Sequence, residues 1–339
     1  MRVVIPVAAL HTGGGCKVLV ELANALQSKG HETIIVIPKK APIDYPIHCE
    51  LYKVPALDKE YIPFGDIVLP NFYTTFIPAY AAWPQQCVRW SLGFEPLWVS
   101  NKELARWTYQ QGIPIISISH WLARKIKNIS KDPVYTVNLG VDRKQFYPAH
   151  PYKKTRKIGS RTILYIARDP KAGYALKGFD DFVKALKILK KIYPHPFHVN
   201  MICTEGLLSL PKGISYQTFK PKGVAGMVRL YRNADLFVST SWFEGFSIPP
   251  LEAMSCGTPV ITTNSGGILD FCHHLKNAYV AEGKNPRAIA MGIKFMLERP
   301  ALMRTFITEG LQTANTLTQP IFENNMVGML ESIYNRKDT

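Results

Sequence analysis

Residues 234–267 read ADLFVSTSWFEGFSIPPLEAMSCGTPVITTNSGG, and this stretch decides the fold expected for the chain. Leu236–Ser239 is a short apolar run, which is typical of a buried parallel strand. Pro249 and Pro250 favour a helix start behind it, because proline presets φ for the first helical turn. Val260–Thr262 has the composition of the next strand. The stretch therefore predicts a strand–helix–strand unit with parallel strands.

Two carboxylates accompany this unit. Glu244 lies on the loop after the first strand, and Glu252 lies in the first turn of the predicted helix. In open parallel sheets, ligands bind at the edge where the carboxyl ends of the strands meet. We therefore expect both carboxylates near a ligand. The alternatives are a surface loop carboxylate for Glu244 and a favourable helix-dipole charge for Glu252.

The spacing of these carboxylates has a family counterpart. Glu244, seven intervening residues and Glu252, embedded in EGFSIPPLEAMSCGTPVI, resemble the signature of the retaining glycosyltransferases of family four. The resemblance implies the GT-B fold, an α/β architecture of two Rossmann-like parallel-sheet domains that face an interdomain cleft. It implies a C-terminal helix that crosses back to the first domain, and a nucleotide-diphosphate sugar as donor substrate. Its motifs are weakest in residues 38–110, where the acceptor would bind.

Length and composition fit a globular protein of this size. The 339 residues suggest two domains of about 150 residues each. Apolar runs are shorter than the roughly 20 residues that a membrane-spanning helix needs. Met1–Ala9 is predicted to be a first strand rather than a signal peptide. The six cysteines are scattered without a C-x-x-C pair, which argues against zinc and a disulfide framework. We therefore expect a cytoplasmic protein.

The net charge of +16 leaves three interpretations open: a polyanionic partner, an anionic membrane surface, or an anionic substrate with a solvated basic face. The sequence has no nucleic-acid-binding motif, which favours the last two. The predicted helix His120–Asn128 carries Arg124, Lys125 and Lys127 near Trp121. This basic and apolar combination is typical of helices that lie on anionic membranes, and a solvated helix face is the alternative.

The N-terminal segment predicts a βαβ unit with a glycine-rich loop. A valine-rich strand, Arg2–Ala8, precedes Gly13, Gly14 and Gly15, and a helix leads on to a second strand, Thr33–Ile37. The glycines let backbone N–H groups approach an anion at the helix N-terminus, whereas a simple tight turn is the alternative. The loop resembles the first loop of the same family, which implies that Gly14 and Gly15 lie close to the donor phosphates and the acceptor.

The middle of the first domain is less specific. Gln86–Trp90 predicts a strand, and Glu95 follows it on a loop marked by glycine and proline. Glu95 is a candidate catalytic residue, with a structural or surface role as the alternative. The aromatic segment 70–84 predicts either the lining of an acceptor pocket or packing between two layers. Many family members place a histidine in this part of the domain, but none lies between His48 and His120.

We place the domain boundary in the basic stretch 151–161. The predicted domains are an acceptor-side domain, residues 1–150, and a domain that binds the nucleotide sugar, residues 151–319. A C-terminal helix, residues 320–339, is predicted to pack on the first domain.

The second domain opens with a strand followed by a loop rich in cations. Arg168 and Lys177 lie on this loop, before the predicted helix Phe179–Ile192. Cations in that position are placed to hold a diphosphate through charge-assisted hydrogen bonds. The family has an arginine just past the strand and a lysine before a glycine, which Arg168 and Lys177-Gly178 match. The gap between the two is longer than usual, so Lys171 is a rival for the role of the lysine.

The resemblance implies a role for each of these residues. Glu252 would bind the ribose hydroxyls. Glu244 would lie beside the transferred sugar, where a carboxylate orients a hydroxyl and offsets oxocarbenium charge. Backbone groups of Phe246, Ser247 and Ile248 would meet the donor sugar and phosphate. The two cations and the glycine loop would stabilise the leaving nucleoside diphosphate. Front-face attack with retention follows from the family.

These observations predict a glycosyltransferase that moves a hexose or deoxyhexose from a nucleotide-diphosphate sugar to a glycan, lipid or small-molecule acceptor. Cell-surface polysaccharide biosynthesis is the expected setting. Asp180-Asp181 begins a helix and lacks the Asp-x-Asp metal pattern, so we expect neither metal nor cofactor. One alternative is a non-catalytic GT-B-like protein that binds a polyanion, and another is an epimerase or phosphorylase on the same fold. The sequence leaves the base, sugar, acceptor and linkage open.

Overall fold

The computed structural model describes residues 1–149, 161–203 and 208–336. Contacts divide the chain into two compact units. The first unit comprises Met1–Asn138 with Pro320–Thr339, and the second comprises Leu139–Gln319. Residues 151–160 of the predicted linker 151–161 lie outside the described residues.

The described part of the first unit contains seven strands, all paired in parallel. They are β1 Arg2–Pro6, β2 Glu32–Pro38, β3 Glu50–Val54, β4 Ile67–Val68, β5 Arg89–Ser91, β6 Ile115–Ser117 and β7 Val134–Thr136. One sheet has the order β3-β2-β1-β4 and the other β5-β6-β7. The Val88 amide donates to the Val68 carbonyl at 2.9 Å, which continues the hydrogen bonding from one sheet to the other.

The second unit has a single sheet in its described residues. Its strands are β8 Arg161–Ala167, β9 Phe197–Cys203, β10 Ser215–Phe219, β11 Leu236–Val238, β12 Val260–Thr263 and β13 Ala278–Ala281. All of them pair in parallel, in the order β10-β9-β8-β11-β12-β13. In chain order this is 3-2-1-4-5-6, the doubly wound arrangement. Its topological switch point lies between β8 and β11, which is where such sheets bind ligands.

Ten α-helices occur in the described residues. They are α1 Gly14–Ser28, α2 Tyr73–Ala82, α3 Lys102–Trp107, α4 His120–Lys127, α5 Phe179–Ile192, α6 Gly223–Asn233, α7 Ile248–Ser255, α8 Pro286–Leu297, α9 Pro300–Thr316 and α10 Gln319–Asn335. Of the helices in this part of the chain, none is long and apolar enough to cross a membrane.

Apolar faces place the helices against the sheets. In α5 the buried side chains include Phe182, Leu186 and Leu189, which recur at helical spacing and form one apolar face. The Phe182 ring stacks on the ring of Tyr165 in β8, with centroids 3.7 Å apart. This contact fixes α5 beside the switch point, and α5 begins where the cationic loop ends.

The aromatic segment 70–84 forms α2 and packs into the first unit. Phe76 is fully buried, and its ring stacks on Tyr80 with centroids 5.4 Å apart. The Trp107 ring from α3 meets the Phe76 ring edge-on at 6.3 Å. These contacts favour the packing interpretation of the segment over a pocket lining.

The C-terminal helix α10 packs within the first unit. The Phe322 ring stacks on Trp90 at 6.2 Å, and Asn324 accepts a hydrogen bond from Lys29 at 2.6 Å. The segment after Asn138 belongs to the second unit instead, because the Phe146 carbonyl accepts from the Ser255 hydroxyl at 2.5 Å. The first unit therefore ends at Asn138 rather than at residue 150.

Candidate functional site

A small cavity of about 100 Å³ lies at the switch point of the second unit. It is lined by residues from the ends of β8 and β11 and from the loops that follow them. Its polar lining includes Arg168, Lys177, Thr240, Ser241 and Glu244. The structure thus brings together the arginine, the lysine and the first of the two glutamates predicted from the sequence.

Lys177 and Glu244 form an ion pair in this cavity. The Lys177 Nζ atom lies 2.8 Å from the Glu244 Oε1 atom. The Glu244 side chain is 13% exposed and the Lys177 side chain 37%, so a ligand can reach both groups. A partly shielded pair of this kind is stronger than one on the open surface, because the local dielectric is lower. It places a cation and an anion side by side at the sheet edge.

The loop after β8 explains the long gap between Arg168 and Lys177. Two single 3-10 turns, Pro170–Ala172 and Ala175–Lys177, occupy the gap, and each ends at a glycine with positive φ. At the second of these, Gly178, a Cβ atom would lie 2.0 Å from the Thr240 carbonyl oxygen, so only glycine fits.

Both ends of this loop face the cavity, whereas its first turn is exposed. The Arg168 guanidinium stacks over the Tyr174 ring at 3.7 Å, which orients it beside the cavity. Lys171 lies on the exposed first turn, while Lys177 lines the cavity.

The backbone of Glu244 is held by the turn after β12. The Glu244 amide donates to the Ser265 carbonyl at 2.7 Å, and the Gly267 amide donates to the Glu244 carbonyl at 2.9 Å. Gly266 has φ +99°, a conformation that favours glycine. The glycine pair Gly266-Gly267 therefore holds the loop that carries the carboxylate, a link that the local sequence does not show.

Ser247 precedes α7 in a strained conformation. Its φ is +79°, which a residue with a Cβ rarely adopts, and such strain costs roughly 1–3 kcal/mol. Non-glycine residues in this region cluster at functional sites. Pro249 and Pro250 have no N–H, so the amides of Ser247 and Ile248 are among the few donors at this helix start. Phe246 is 1% exposed as a whole residue, and its ring packs on that of Phe271 at 5.0 Å, which anchors this end of the loop.

Glu252 lies in α7 at the edge of the interior, with 9% of its surface exposed. The Tyr231 hydroxyl donates to its Oε2 atom at 2.9 Å. Burial raises the pKa of the Tyr231 hydroxyl well above its usual value, and the Glu252 carboxylate adds to this shift. Tyr231 therefore keeps its proton and orients the carboxylate. Tyr231 was missed in the sequence because its partner is 21 residues away.

Gly14 and Gly15 are the first residues of α1 and lie in the first unit. Both are exposed, and a Cβ atom at Gly14 would meet nothing within 4 Å. The preceding residue is anchored, because the Gly13 amide donates to the Tyr45 hydroxyl at 2.8 Å. The start of this helix is thus accessible to solvent and follows an anchored residue.

Glu95 lies in the interior of the first unit and is 1% exposed. Its Oε2 atom accepts from the Arg89 guanidinium at 2.7 Å and from the Tyr109 hydroxyl at 2.5 Å. Arg89 is fully buried and stacks over the Tyr109 ring at 3.8 Å. Burial lowers the pKa of the Arg89 guanidinium, but Glu95 and Tyr109 together outweigh this effect and raise it above its usual value. This geometry favours the structural alternative for Glu95.

Asp181 is buried and accepts a hydrogen bond from the Trp242 indole N–H at 2.7 Å. Within residues 1–149, 161–203 and 208–336, no group of three or more His, Cys, Asp or Glu side chains is placed to hold a metal ion. At the start of α4, Ser119 caps the helix by accepting from the Leu122 amide at 3.1 Å. His120 follows the cap and is exposed.

Parts of the chain are similar in sequence to known proteins. Residues 152–313 match the family model of glycosyl transferases group 1. The D-inositol 3-phosphate glycosyltransferase of Paenarthrobacter aurescens is 33% identical over 164 residues, which cover 43% of this chain and 39% of that protein. The spore coat protein SA of Bacillus subtilis is 25% identical over 214 residues, covering 54% of this chain and 55% of that protein. The chain spans about half or less of the curated relatives that it matches.

Solved structures show the fold over nearly the whole chain. Sucrose-phosphate synthase from Thermosynechococcus elongatus superposes with a TM-score of 0.81 at 16% identity, covering 99% of this chain and 100% of that chain. Anabaena HepE in complex with UDP-glucose superposes with a TM-score of 0.75 at 14% identity, covering 98% and 100%. The predicted GT-B fold is confirmed, and so is the resemblance to the group 1 glycosyltransferases.

The Glu95→Gln variant tests the role of the buried carboxylate. Removing its charge leaves the Arg89 guanidinium uncompensated in the interior, so we expect a loss of about 3–5 kcal/mol in unfolding free energy. The rate of glycosyl transfer per folded molecule is expected to stay within about twofold of the wild-type value, because the Glu95 carboxylate lies out of reach of a substrate. Urea unfolding and the rate per folded molecule give the two values. Wild-type stability with a turnover loss above about hundredfold would make Glu95 catalytic instead.

Proposed function

We propose that this chain, whose residues 152–313 match the family model of glycosyl transferases group 1, is a glycosyltransferase with a nucleotide-diphosphate sugar as donor. It transfers a hexose or deoxyhexose to a glycan, lipid or small-molecule acceptor. One observation carries the proposal: Arg168, Lys177 and Glu244 converge in one cavity at the switch point of a doubly wound sheet.

Donor binding uses the positive charge of this cavity. Arg168 and Lys177 hold the diphosphate, since guanidinium and ammonium groups form strong charge-assisted hydrogen bonds to phosphate oxygens. The amides of Ser247 and Ile248 at the start of α7 add the favourable end of a helix dipole. Glu252 binds the ribose hydroxyls, with Tyr231 fixing its orientation at 2.9 Å. In the first unit, Gly14 and Gly15 expose backbone amides for a further contact with donor or acceptor.

In this proposal, donor binding breaks the Lys177–Glu244 ion pair and redirects the carboxylate to the sugar. In the free protein Glu244 holds Lys177 at 2.8 Å. When the diphosphate binds, its oxygens compete for the ammonium, and the Glu244 carboxylate turns to the sugar. There it orients a hydroxyl and stabilises positive charge that develops at the anomeric carbon.

The reaction balances without a cofactor. The bond from the anomeric carbon to the phosphate oxygen breaks, and a bond to the acceptor oxygen forms on the same face. The acceptor proton goes to the leaving phosphate oxygen, so configuration is retained. We propose metal independence because the two cations already lie where the negative charge of the leaving group develops.

The comparisons support the choice of donor. Solved structures of Anabaena HepE contain UDP-glucose or UDP, and that protein shares the fold of this chain over 98% of its length. The relative from Paenarthrobacter aurescens is named a glycosyltransferase. We extend the donor class to this chain and place its product in cell-surface polysaccharide synthesis.

The Lys177→Met variant tests the site, with Lys171→Met as its matched control. Both variants remove one lysine charge from the same loop, but only Lys177 contacts Glu244 in the cavity. We expect the rate of nucleoside diphosphate release to fall about 100-fold in Lys177→Met and less than about threefold in Lys171→Met. The assay offers UDP-, GDP-, ADP- and dTDP-sugars to the purified protein together with a panel of glycan, lipid and small-molecule acceptors, and measures the released diphosphate, with and without EDTA.

Each outcome of this assay separates the proposals. Equal losses in both variants would move the diphosphate away from Lys177. Folded wild-type protein that releases no diphosphate from any donor would contradict the transferase and favour a non-catalytic GT-B-like protein that binds a polyanion. Turnover without an acceptor, or with inorganic phosphate, would identify an epimerase or a phosphorylase. Loss of turnover in EDTA that magnesium restores would contradict metal independence.

We also propose that the first unit contacts an anionic membrane from the cytoplasmic side. A shallow groove between α3 and α4 is lined by Arg106, Trp107, Lys127 and Lys131, and also by Glu103, which pairs with Arg106 at 3.2 Å. The Trp107 ring packs edge-on against Phe76 and Tyr80, and yet 41% of the residue is exposed to solvent. Exposed tryptophan beside several cations fits a membrane interface, where the ring sits at headgroup level and the cations meet anionic lipid.

Vesicle binding tests this groove. The triple variant Arg106→Gln, Lys127→Gln, Lys131→Gln removes three cations from it. We expect its partition onto phosphatidylglycerol vesicles to fall at least about tenfold, because each cation near the surface contributes about 1 kcal/mol. Co-sedimentation with vesicles, with and without the anionic lipid, measures the partition.

A matched triple variant in α5 is the control for charge alone. Lys184→Gln, Lys187→Gln and Lys191→Gln remove the same charge from an exposed helix face of the second unit. Its partition is expected to fall less than about threefold. Equal losses in both triples, or tighter binding to RNA than to vesicles, would contradict a membrane-specific surface.

A further inference from the structure

Trp242 lies two residues before Glu244. It forms one hydrogen bond to a residue that precedes Lys177 and one to a residue that follows it. Its backbone amide donates to the Leu176 carbonyl at 2.8 Å, one residue before the lysine. Its indole N–H donates to the Asp181 Oδ2 atom at 2.7 Å, in the first turn of α5. The loop after β11 is therefore attached twice to the loop after β8, on either side of the catalytic cation.

The hydrogen bond to Asp181 is well suited to hold the Trp242 side chain in one position. Asp181 is 6% exposed, and a buried carboxylate is costly unless hydrogen-bond donors reach it. The indole N–H supplies such a donor, and bonds to an ionised acceptor are about twice as strong as neutral ones. Loss of the indole N–H would leave the carboxylate short of a donor in the interior.

A cation lies over the aromatic pair next to Glu244. The Lys284 Nζ atom is 4.6 Å from the Trp242 ring centroid and 5.7 Å from that of Phe243. Lys284 has φ +59°, a conformation that a side-chain-bearing residue adopts at some cost. The adjacent Gly283 amide donates to the Asn264 side chain at 2.8 Å, which holds this third loop in place. The contact restrains the Trp242 ring from a loop other than that of Asp181.

We propose that Trp242 is a positioning residue for the Lys177–Glu244 pair. Its two hydrogen bonds set the separation of the two loops, and Lys284 restrains its ring. The inference rests on the proposed function, because the pair matters to catalysis only if the cavity binds a donor. It assigns no substrate contact to Trp242. Its effect must therefore pass through Lys177 and Glu244.

The Trp242→Phe variant removes the indole N–H and keeps an aromatic ring. Trp83→Phe is its matched control, because the Trp83 indole N–H donates to the Ile62 carbonyl at 2.8 Å in the first unit. Amide hydrogen exchange is measured first, without any ligand. We expect exchange in residues 175–182 to rise at least about fivefold in Trp242→Phe and to stay unchanged there in Trp83→Phe.

A double-mutant cycle tests the route of the effect. The cycle uses the donor that the wild-type protein turns over best. In the wild-type background, Trp242→Phe is expected to lower kcat/KM about tenfold. In the Lys177→Met background, the same substitution is expected to lower kcat/KM less than about twofold. Equal losses in both backgrounds would mean a general structural role and would overturn the inference. Unchanged exchange in residues 175–182 would overturn it as well. That measurement is independent of turnover, so a wild-type protein inactive on every donor would contradict the proposed function while exchange still decides the role of Trp242.

Discussion

Electrostatic attraction between Lys177 and Glu244 connects the two loops on which the candidate site depends. The two side chains suit the two parts of a nucleotide-sugar donor. The lysine suits the diphosphate, and the carboxylate suits the sugar. At 2.8 Å each group satisfies the other in the free protein. Neither charge is left unpaired at the mouth of a cavity, where an isolated charge would lose part of its hydration without compensation. A bound donor can replace this internal contact with two external ones.

The sheet makes this meeting possible. The chain leaves β8 in one direction and β11 in the other, because the order β10-β9-β8-β11-β12-β13 reverses at this point. The loops after two adjacent strands therefore border one crevice rather than covering it. Close packing behind the crevice keeps it narrow. Gly178 touches the Thr240 backbone, and the Tyr165 hydroxyl lies 2.9 Å from the Thr240 hydroxyl. The glycine that follows the lysine is thus part of the packing of the site.

Local patterns predicted the features that local physics controls. The predicted helix Phe179–Ile192 has the bounds of α5, and the proline pair at 249 and 250 predicted the start of α7. The edge strand β3 was missed because most of its residues are exposed, so it lacks the apolar run that marks a buried strand. Residues Arg168, Lys177 and Glu244 were predicted through motifs. The bonds of Trp242 to Asp181 and of Glu95 to Arg89 join side chains whose contact depends on tertiary structure, and no local signal reports them. A carboxylate after a strand end looks the same in sequence whether it faces a ligand, as Glu244 does in our proposal, or an arginine, as Glu95 does.

The most direct test of the central claim is calorimetric titration of UDP, GDP and ADP into the wild-type protein and the Glu244→Gln variant. If Lys177 is the diphosphate ligand and Glu244 competes for it, removing the carboxylate charge frees the ammonium. The account predicts that the variant binds its best diphosphate at least about threefold more tightly than the wild type, while donor turnover falls. The exposed Glu282→Gln variant should match the wild type in both measurements. Unchanged or weaker diphosphate binding by Glu244→Gln would show that the pair is not where the leaving group binds, and the account would be contradicted.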